Sequence, residues 1–244
     1  MASQAYRPPL AGFDEMCSGP DKVRKHWRYL INALNTMGPE VLQQRQRDAA
    51  RILRSDGATY NVYGRPDGLN RAWQLDPVPL LVSSSEWAGI EAGLAQRAEL
   101  LNIILQDIYG SRSLIRKGLI PPDLVFANPA FQRPCVVMPP GSAPGLNLYA
   151  ADLVRGPDGN FRIVKDHTQA PSGMGYALEN RTVMSRLMPS LFRDSHPHRL
   201  APFFRQLRES LAGMAPAAGQ DEPRVVIMTP GSHNETYFEH LHLA

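Results

Sequence analysis

The chain has 244 residues, of which 43% are hydrophobic and 20% charged, so it is long enough to bury a substantial core and is unlike a disordered tail. Its 26 lysines and arginines against 23 aspartates and glutamates leave a formal charge of +3, which does not require a nucleic-acid partner. No apolar run approaches the ~20 residues that span a bilayer, and the two cysteines lack zinc spacing. We therefore expect a cytoplasmic protein without nucleic-acid or membrane partners.

The N-terminal part, residues 1–58, predicts an irregular arm followed by a helical hairpin. The first twenty residues are rich in proline and glycine and have no sustained period. Apolar residues then recur at helical spacing until Gly38-Pro39, and a second helix is predicted from residue 40 to about residue 54. The glycine-proline pair is a strong break, so two helices are expected here.

The middle part predicts a long helix and a β-hairpin. The helix runs from Glu86 to about Tyr109 behind serines that can cap it, and its apolar residues are expected to form a buried stripe. Two apolar strands at residues 146–153 and 161–164 flank a proline-, aspartate- and glycine-containing turn, which is typical of a hairpin. Helices at residues 178–192 and 201–214 follow.

The last segment, residues 224–244, predicts the start of a further βα unit. Residues 225–228 are apolar on both faces, which favours a buried parallel strand, and residues 235–244 favour a helix. Because such a strand needs a neighbour to pair with, we expect a fragment whose exposed edge is covered by a missing C-terminal lobe or by self-association.

Three blocks of sequence carry a resemblance to a known family. They are LDPVP at residues 75–79 with EW at 86–87, DHTQAPSG at 166–173 with YALENR at 176–181, and TPG at 229–231 with NETYFEH at 234–240. In this order and at this spacing, from about Phe13 onward, the chain resembles the bacterial circularly permuted type-2 ATP-grasp proteins, which are similar to glutathionylspermidine synthase.

The resemblance implies an α/β (α+β) fold, the N-terminal portion of a circularly permuted ATP-grasp fold with a helical N-terminal region. The ATP-grasp-like region would cover residues 59–215. The implied activity is that of a ligase: ATP phosphorylates a carboxylate and an amine displaces the phosphate, with ATP and Mg²⁺ as cofactors. The implied partners are a small-molecule carboxylate and an amine or peptide substrate.

The implied metal site lies on the hairpin. A turn near residues 157–159 would put Asp152, the presumed metal ligand, beside Lys165 and on one face with it. Active relatives carry a Glu and, two residues on, an Asn as further ligands, and these positions hold Lys165 and His167 here. A protonated lysine cannot coordinate Mg²⁺, and histidine is a poor ligand for it. We therefore expect this chain alone to be inactive, and a noncatalytic binding or assembly module is the alternative.

These three residues also have ordinary structural interpretations. Asp152 is typical of a turn or capping residue, Lys165 of an exposed or salt-bridging strand residue, and His167 of a residue that forms structural hydrogen bonds.

The glycine-containing loop at residues 171–176 leads into a helix, and its backbone N–H groups could bind an anion. We assign Ser172, Gly173 and Asn180 as candidate cofactor-binding residues and Arg181 as the candidate catalytic residue that holds an anionic group. A purely structural turn and an intramolecular salt bridge of Arg181 remain the alternatives. We also expect the loop to share a cleft with the hairpin face that carries Asp152.

Overall fold

The structure is a computed structural model that describes residue 6 and residues 12–20, 22–62, 68–137, 145–215 and 223–244. It combines helices with a two-stranded sheet, which confirms the predicted α+β class. The chain divides into two compact units. Residues 1–81 and 172–244 form the terminal unit, and residues 82–171 form the central unit.

This division differs from the boundaries expected at residues 58 and 215. The reason is a core that joins residues from both ends of the chain: Leu53 and Ala58 pack with Val183 and Phe238 in one buried cluster. Burial of apolar surface in a single core holds such distant segments together.

The regular elements are numbered here in chain order. They are α1 (Arg28–Ser55), α2 (Ser84–Tyr109), α3 (Ser113–Arg116), α4 (Pro122–Phe126), β1 (Ala150–Arg155), β2 (Phe161–His167), α5 (Met174–Leu187), α6 (Pro189–Asp194), α7 (Ala201–Gly213) and α8 (Tyr237–Leu243). Short 3-10 turns lie at Lys25–Trp27 and Arg133–Val137.

The first long helix, α1, is two helical segments joined at a kink. Gly38 has φ 78° and ψ 168°, which are outside the helical region, and Pro39 follows it. A positive φ costs glycine little, and proline is well suited to the first turn of a helix, where no N–H donor is needed. The break predicted at Gly38-Pro39 is therefore confirmed.

In the central unit, α2 begins with a complete capping box. The Ser83 hydroxyl accepts from the N–H of Glu86, whose carboxylate in turn accepts from the N–H of Ser83. The predicted buried stripe is wrong, because none of the residues of α2 is fully buried and Trp87 is 40% exposed. Gly89 and Gly93 have no side chains to fill the space beside the hairpin, and a cleft of about 310 Å³ remains there.

The predicted hairpin is confirmed, with strands displaced by a few residues. β1 and β2 pair antiparallel, with an irregularity between Asp152 and Leu153. The turn is closed by a hydrogen bond of 2.8 Å from the N–H of Gly156 to the carbonyl of Asn160, and Gly159 has φ 84°. A left-handed residue at this place is typical of short hairpin turns.

The C-terminal segment differs from the prediction. Residues 223–230 form no strand, and within the described chain they have no strand partner. Val226 is 77% exposed and Met228 93% exposed, so the predicted buried strand at residues 225–228 is not formed. An extended segment becomes a strand only by pairing with another one. The helix predicted next to it is α8, which starts two residues later than expected.

Candidate functional site

Asp152, Lys165 and His167 lie on one face of the hairpin. Asp152 is the Cα partner of Lys165, and Ala150 is the Cα partner of His167. Directly paired residues share a face of an antiparallel pair, and so do residues two apart along a strand. The predicted common face of Asp152 and Lys165 is therefore confirmed.

The Asp152 carboxylate forms a hydrogen bond with a neighbouring side chain on this face. His167 Nε2 lies 3.0 Å from Asp152 Oδ1, which is hydrogen-bonding distance, and the Asp152 side chain is 55% exposed. Lys165 stands beside it and forms no hydrogen bond or ion pair with any described residue. This agrees with the structural interpretation of His167 and does not support the salt bridge considered for Lys165.

These residues do not fit a Mg²⁺ ion. Mg²⁺ requires oxygen ligands in near-octahedral geometry, and this face offers one carboxylate with a histidine and an ammonium group beside it. In the described part of the chain, no group of three or more His, Cys, Asp or Glu residues could hold a metal ion. Lys165 and His167 therefore add no oxygen ligand beside Asp152, and the impairment of a metal site here stays a prediction.

Asp166 belongs to the opposite face of β2, where it holds the strand to α2. Arg97 donates to both of its carboxylate oxygens, at 2.6 and 2.7 Å, and the Tyr149 hydroxyl donates at 2.7 Å. These hydrogen bonds, those of Arg97 first, lower the pKa of Asp166 to about 2. The sequence did not reveal this cluster, because Arg97 lies 69 residues away and leaves no local pattern.

In the terminal unit, the N–H groups of the glycine loop already bind a carboxylate. Glu239 accepts from the N–H of Gly173 at 2.7 and 2.9 Å and from the N–H of Gly175 at 2.9 Å. The cofactor-binding role predicted for Gly173 did not include Glu239 as its partner. The signal was present, since Glu239 belongs to the third block of the family resemblance. Ser172 is exposed and forms no hydrogen bond with the rest of the described chain.

Asn180 is also engaged within the fold. Trp73 Nε1 donates to Asn180 Oδ1 at 2.9 Å, and the Trp73 ring lies 4.4 Å from the buried ring of Tyr176. Burial raises the pKa of Tyr176 to about 12, and its hydroxyl donates to the carbonyl of Thr59 at 2.6 Å. The side-chain oxygen of Asn180 is therefore an acceptor within the fold.

Arg181 differs from these residues, because it is half-buried and has no acidic partner among the residues that the structure describes. Among the described residues, no hydrogen bond or ion pair reaches its guanidinium group, and burial lowers its pKa. The salt bridge considered for Arg181 is thus not found in the described chain. A desolvated guanidinium group without a counter-ion is well suited to an anionic ligand.

Glu179, on the same helix, is a second buried ionisable group. It is 4% exposed, and its Oε1 has no hydrogen-bond partner among the described residues. Burial raises the pKa of Glu179, and the nearby carboxylate of Asp56 raises it further.

The predicted site residues thus fall into two groups. Asp152, Lys165 and His167 belong to the central unit, whereas Ser172, Gly173, Asn180 and Arg181 belong to the terminal unit. The cleft that the two groups were expected to share stays a prediction.

No helix in the described ranges is both long and apolar enough to cross a membrane.

Sequence comparison assigns the family. Residues 79–244 match the family described as circularly permuted ATP-grasp type 2. The match covers well over half of the chain and includes the hairpin, the glycine loop and α8. This protein therefore belongs to the circularly permuted ATP-grasp type 2 family.

Relatives occur in mycobacteria and cyanobacteria, and all three below are described as uncharacterized. A Mycobacterium tuberculosis protein is 37% identical over 97% of this chain and 28% of its own length. A Synechocystis protein is 34% identical over 100% of this chain and 50% of its own length, and a Mycobacterium leprae protein is 34% identical over 95% and 40%. The chain thus spans half or less of the length of these relatives.

Proposed function

We propose that this protein has an ATP-grasp ligase-like function, and that the present chain is a catalytic unit impaired at its metal-binding face. In the reaction proposed for the complete protein, the γ-phosphoryl group of ATP moves to a carboxylate oxygen and ADP leaves. An amine then attacks the acyl phosphate, an amide bond forms and inorganic phosphate departs. The substrates are a small-molecule carboxylate and an amine or peptide, in the manner of glutathionylspermidine synthase-like ligases.

The observation that carries the proposal is the environment of Asp152. Family membership supports ATP chemistry, and we assign Asp152 as the metal-binding carboxylate. His167 is bonded to it at 3.0 Å and Lys165 is its Cα partner, so two basic residues stand where oxygen ligands are expected. The phosphate charge would normally be neutralised by a bound divalent ion, and the impaired ligand set argues against turnover by this chain.

Arg181 supports an anion-binding role within the same function. Its half-buried guanidinium group has no counter-ion in the described chain. Burying this charge costs desolvation energy, and no ion pair within the described chain offsets that cost. We assign it to the binding of a phosphate or carboxylate group of a ligand.

The second candidate is a noncatalytic module that retains the fold for binding or assembly. It is favoured by the engagement of groups that a cofactor would need: Gly173 and Gly175 bind Glu239, and Asn180 binds Trp73. If Gly173, Gly175 and Asn180 serve only to stabilise the fold, restoring the metal ligands should not produce MgATP binding.

Calorimetric titration of MgATP distinguishes the two candidates. The unaltered chain should neither bind MgATP with micromolar affinity nor release ADP. The double variant Lys165→Glu, His167→Asn restores the oxygen ligands of active relatives and should gain MgATP binding if the chain is an impaired catalytic unit. The same variant carrying Asp152→Ala should lose that gain. Micromolar MgATP binding by the unaltered chain would refute the impairment, and a silent double variant would favour the noncatalytic module.

A further inference from the structure

The carboxylate of Glu239 is buried against the first turn of α5. Its side chain belongs to α8, and the residue is 2% exposed. Oε2 accepts from the N–H groups of Gly173 and Gly175 at 2.7 and 2.9 Å, and Oε1 accepts from that of Gly173 at 2.9 Å. All three contacts come from backbone N–H groups at the N-cap and first turn of α5. Hydrogen bonds from N–H groups to a carboxylate are among the stronger ones in proteins.

The start of α5 needs such a partner, because it has no local cap. The first N–H groups of a helix have no acceptor inside the helix and carry partial positive charge. The N-cap residue is Gly173, which has no side chain to accept from them. Glu239 supplies the missing acceptor and the favourable negative charge from a residue 66 positions away.

The loop is shaped around this carboxylate. A Cβ atom on Gly175 would lie 2.9 Å from Glu239 Cγ, closer than side chains pack. Gly173 has φ 115°, a conformation that other residues adopt only with strain. Gly175 is therefore explained by its close fit against Glu239, and Gly173 by its positive φ.

The segment that carries Glu239 is held at other points as well. The buried ring of Phe238 lies 5.3 Å from that of Tyr176, and both belong to the core cluster. The buried amide group of Asn61 donates to the carbonyls of Ser232 and Asn234 at 3.1 and 3.0 Å. The position of Glu239 is thus fixed by the packing and hydrogen bonds of the segment that carries it.

We propose that Glu239 is a positioning residue that fills the anion position at the start of α5 and fixes the loop at residues 172–175. The N–H groups of Gly173 and Gly175 are then closed to a phosphate group. Ser172 is exposed to solvent. Arg181 lies on α5, whose first turn is held in place by Glu239. The inference deepens the proposed function and rests on it where Arg181 is assigned to ligand binding.

Amide NMR on the ¹⁵N-labelled chain tests this role. Glu239→Gln keeps the size of the side chain and removes its charge, so the amide signals of Gly173 and Gly175 should move upfield. Glu239→Ala removes the acceptor as well and should move them further. Sodium formate, a free carboxylate, should return these signals saturably toward their original positions in Glu239→Ala but should not move them in the unaltered chain.

The matched control is Glu235→Gln, which removes an exposed carboxylate of the same segment that accepts from the Tyr60 hydroxyl. It should leave both glycine signals in place. Unchanged signals in Glu239→Gln would overturn the proposal even if Glu239→Ala fails to fold, and so would a folded Glu239→Ala whose signals ignore formate. None of these readouts uses nucleotide, so MgATP binding by the unaltered chain would refute its impairment and leave this result intact.

Discussion

His167 Nε2 and Asp152 Oδ1 lie 3.0 Å apart across the hairpin, with Lys165 directly beside them. The carboxylate that we propose as a metal ligand is therefore hydrogen-bonded by a histidine and paired across the strands with a lysine. Lys165 adds a positive charge to the face that carries Asp152, and this charge opposes the binding of a divalent ion there.

Replacing this lysine should therefore create measurable affinity for a divalent ion. Lys165→Glu removes one positive charge and adds a carboxylate beside Asp152, and we expect Mn²⁺ affinity to rise at least about tenfold, or about 1.4 kcal/mol. Electron paramagnetic resonance of free Mn²⁺ measures the change. The gain should disappear when Asp152→Asn is added. Equal Mn²⁺ affinity in Lys165→Glu and the unaltered chain would show that Asp152 does not contribute to a metal site.

Local patterns in the sequence predicted the local structure well. The Gly38-Pro39 break, the cap of α2 at Ser83 and the hairpin that pairs Asp152 with Lys165 all follow from propensities acting within a few residues. Such features need no knowledge of the tertiary fold.

The contacts that position the candidate site could not be predicted in this way. Glu239 reaches Gly173 across 66 positions, and Trp73 reaches Asn180 across 107. Side chains at such separation leave no periodic signal. The short helix α8 illustrates the same limit: alone it would be marginal, yet buried Phe238 and Glu239 attach it to the core.

Arg181 should be dispensable for stability and required for anion binding. Arg181→Met removes a half-buried charge without a partner in the described chain, so the free energy of unfolding should stay the same or rise by about 1 kcal/mol. Tripolyphosphate should raise the melting temperature of the unaltered chain by mass action and should not raise that of the variant. Chemical denaturation gives the free energy of unfolding, and scanning fluorimetry gives the melting temperatures.

Arg186→Met is the matched control on the same helix, because Arg186 forms an ion pair of 3.0 Å with Asp56. This variant should lose a little stability and keep its response to tripolyphosphate. An equal response in Arg181→Met and the unaltered chain would remove Arg181 from the candidate site.

The buried carboxyl of Glu179 should make stability depend on pH. Its pKa is raised in the folded state, so the folded protein favours the protonated form. Glu179 does not destabilise the fold below its pKa in the unfolded chain. Its destabilising effect grows as pH rises from the pKa of the unfolded state towards that of the folded state. Glu179→Gln should raise the melting temperature at about pH 8, and the difference should shrink toward about pH 4.

Glu179→Gln keeps a polar side chain at this buried position, so the pH-dependent part of the difference reports the charge of Glu179 alone. Glu91→Gln, at an exposed position of α2, is the control and should not alter the profile. A melting difference between Glu179→Gln and the unaltered chain that is constant with pH would contradict the assignment.

Adding one methyl group at Gly175 should destabilise the terminal unit. The new Cβ would lie 2.9 Å from Glu239 Cγ, and overpacking of this kind costs about 1–3 kcal/mol. Chemical denaturation measures the loss. Gly213→Ala, also in the terminal unit, meets no atom within 4 Å and should change the free energy of unfolding by no more than about 0.5 kcal/mol. Equal stability of the two variants would mean that the fit around Glu239 is loose.

The exposed apolar segment at residues 225–228 should drive self-association of this chain. Val226 and Met228 are 77% and 93% exposed, and in the described chain the segment pairs with no strand. Unpaired N–H and C=O groups beside apolar side chains favour pairing with another extended segment. The segment is also fixed at one end, because Asn61 holds Ser232 and Asn234 just after it.

Light scattering over a range of concentrations tests this. The double variant Val226→Lys, Met228→Lys should lower the weight-average mass toward that of the monomer, since a strand edge that carries lysines resists pairing. Leu119→Lys, which replaces a leucine that is 67% exposed outside this segment, should leave association unchanged. Hydrogen exchange should show the amides of residues 225–228 becoming protected as concentration rises. A chain that stays monomeric throughout, with those amides unprotected, would show that the segment does not pair with a second copy.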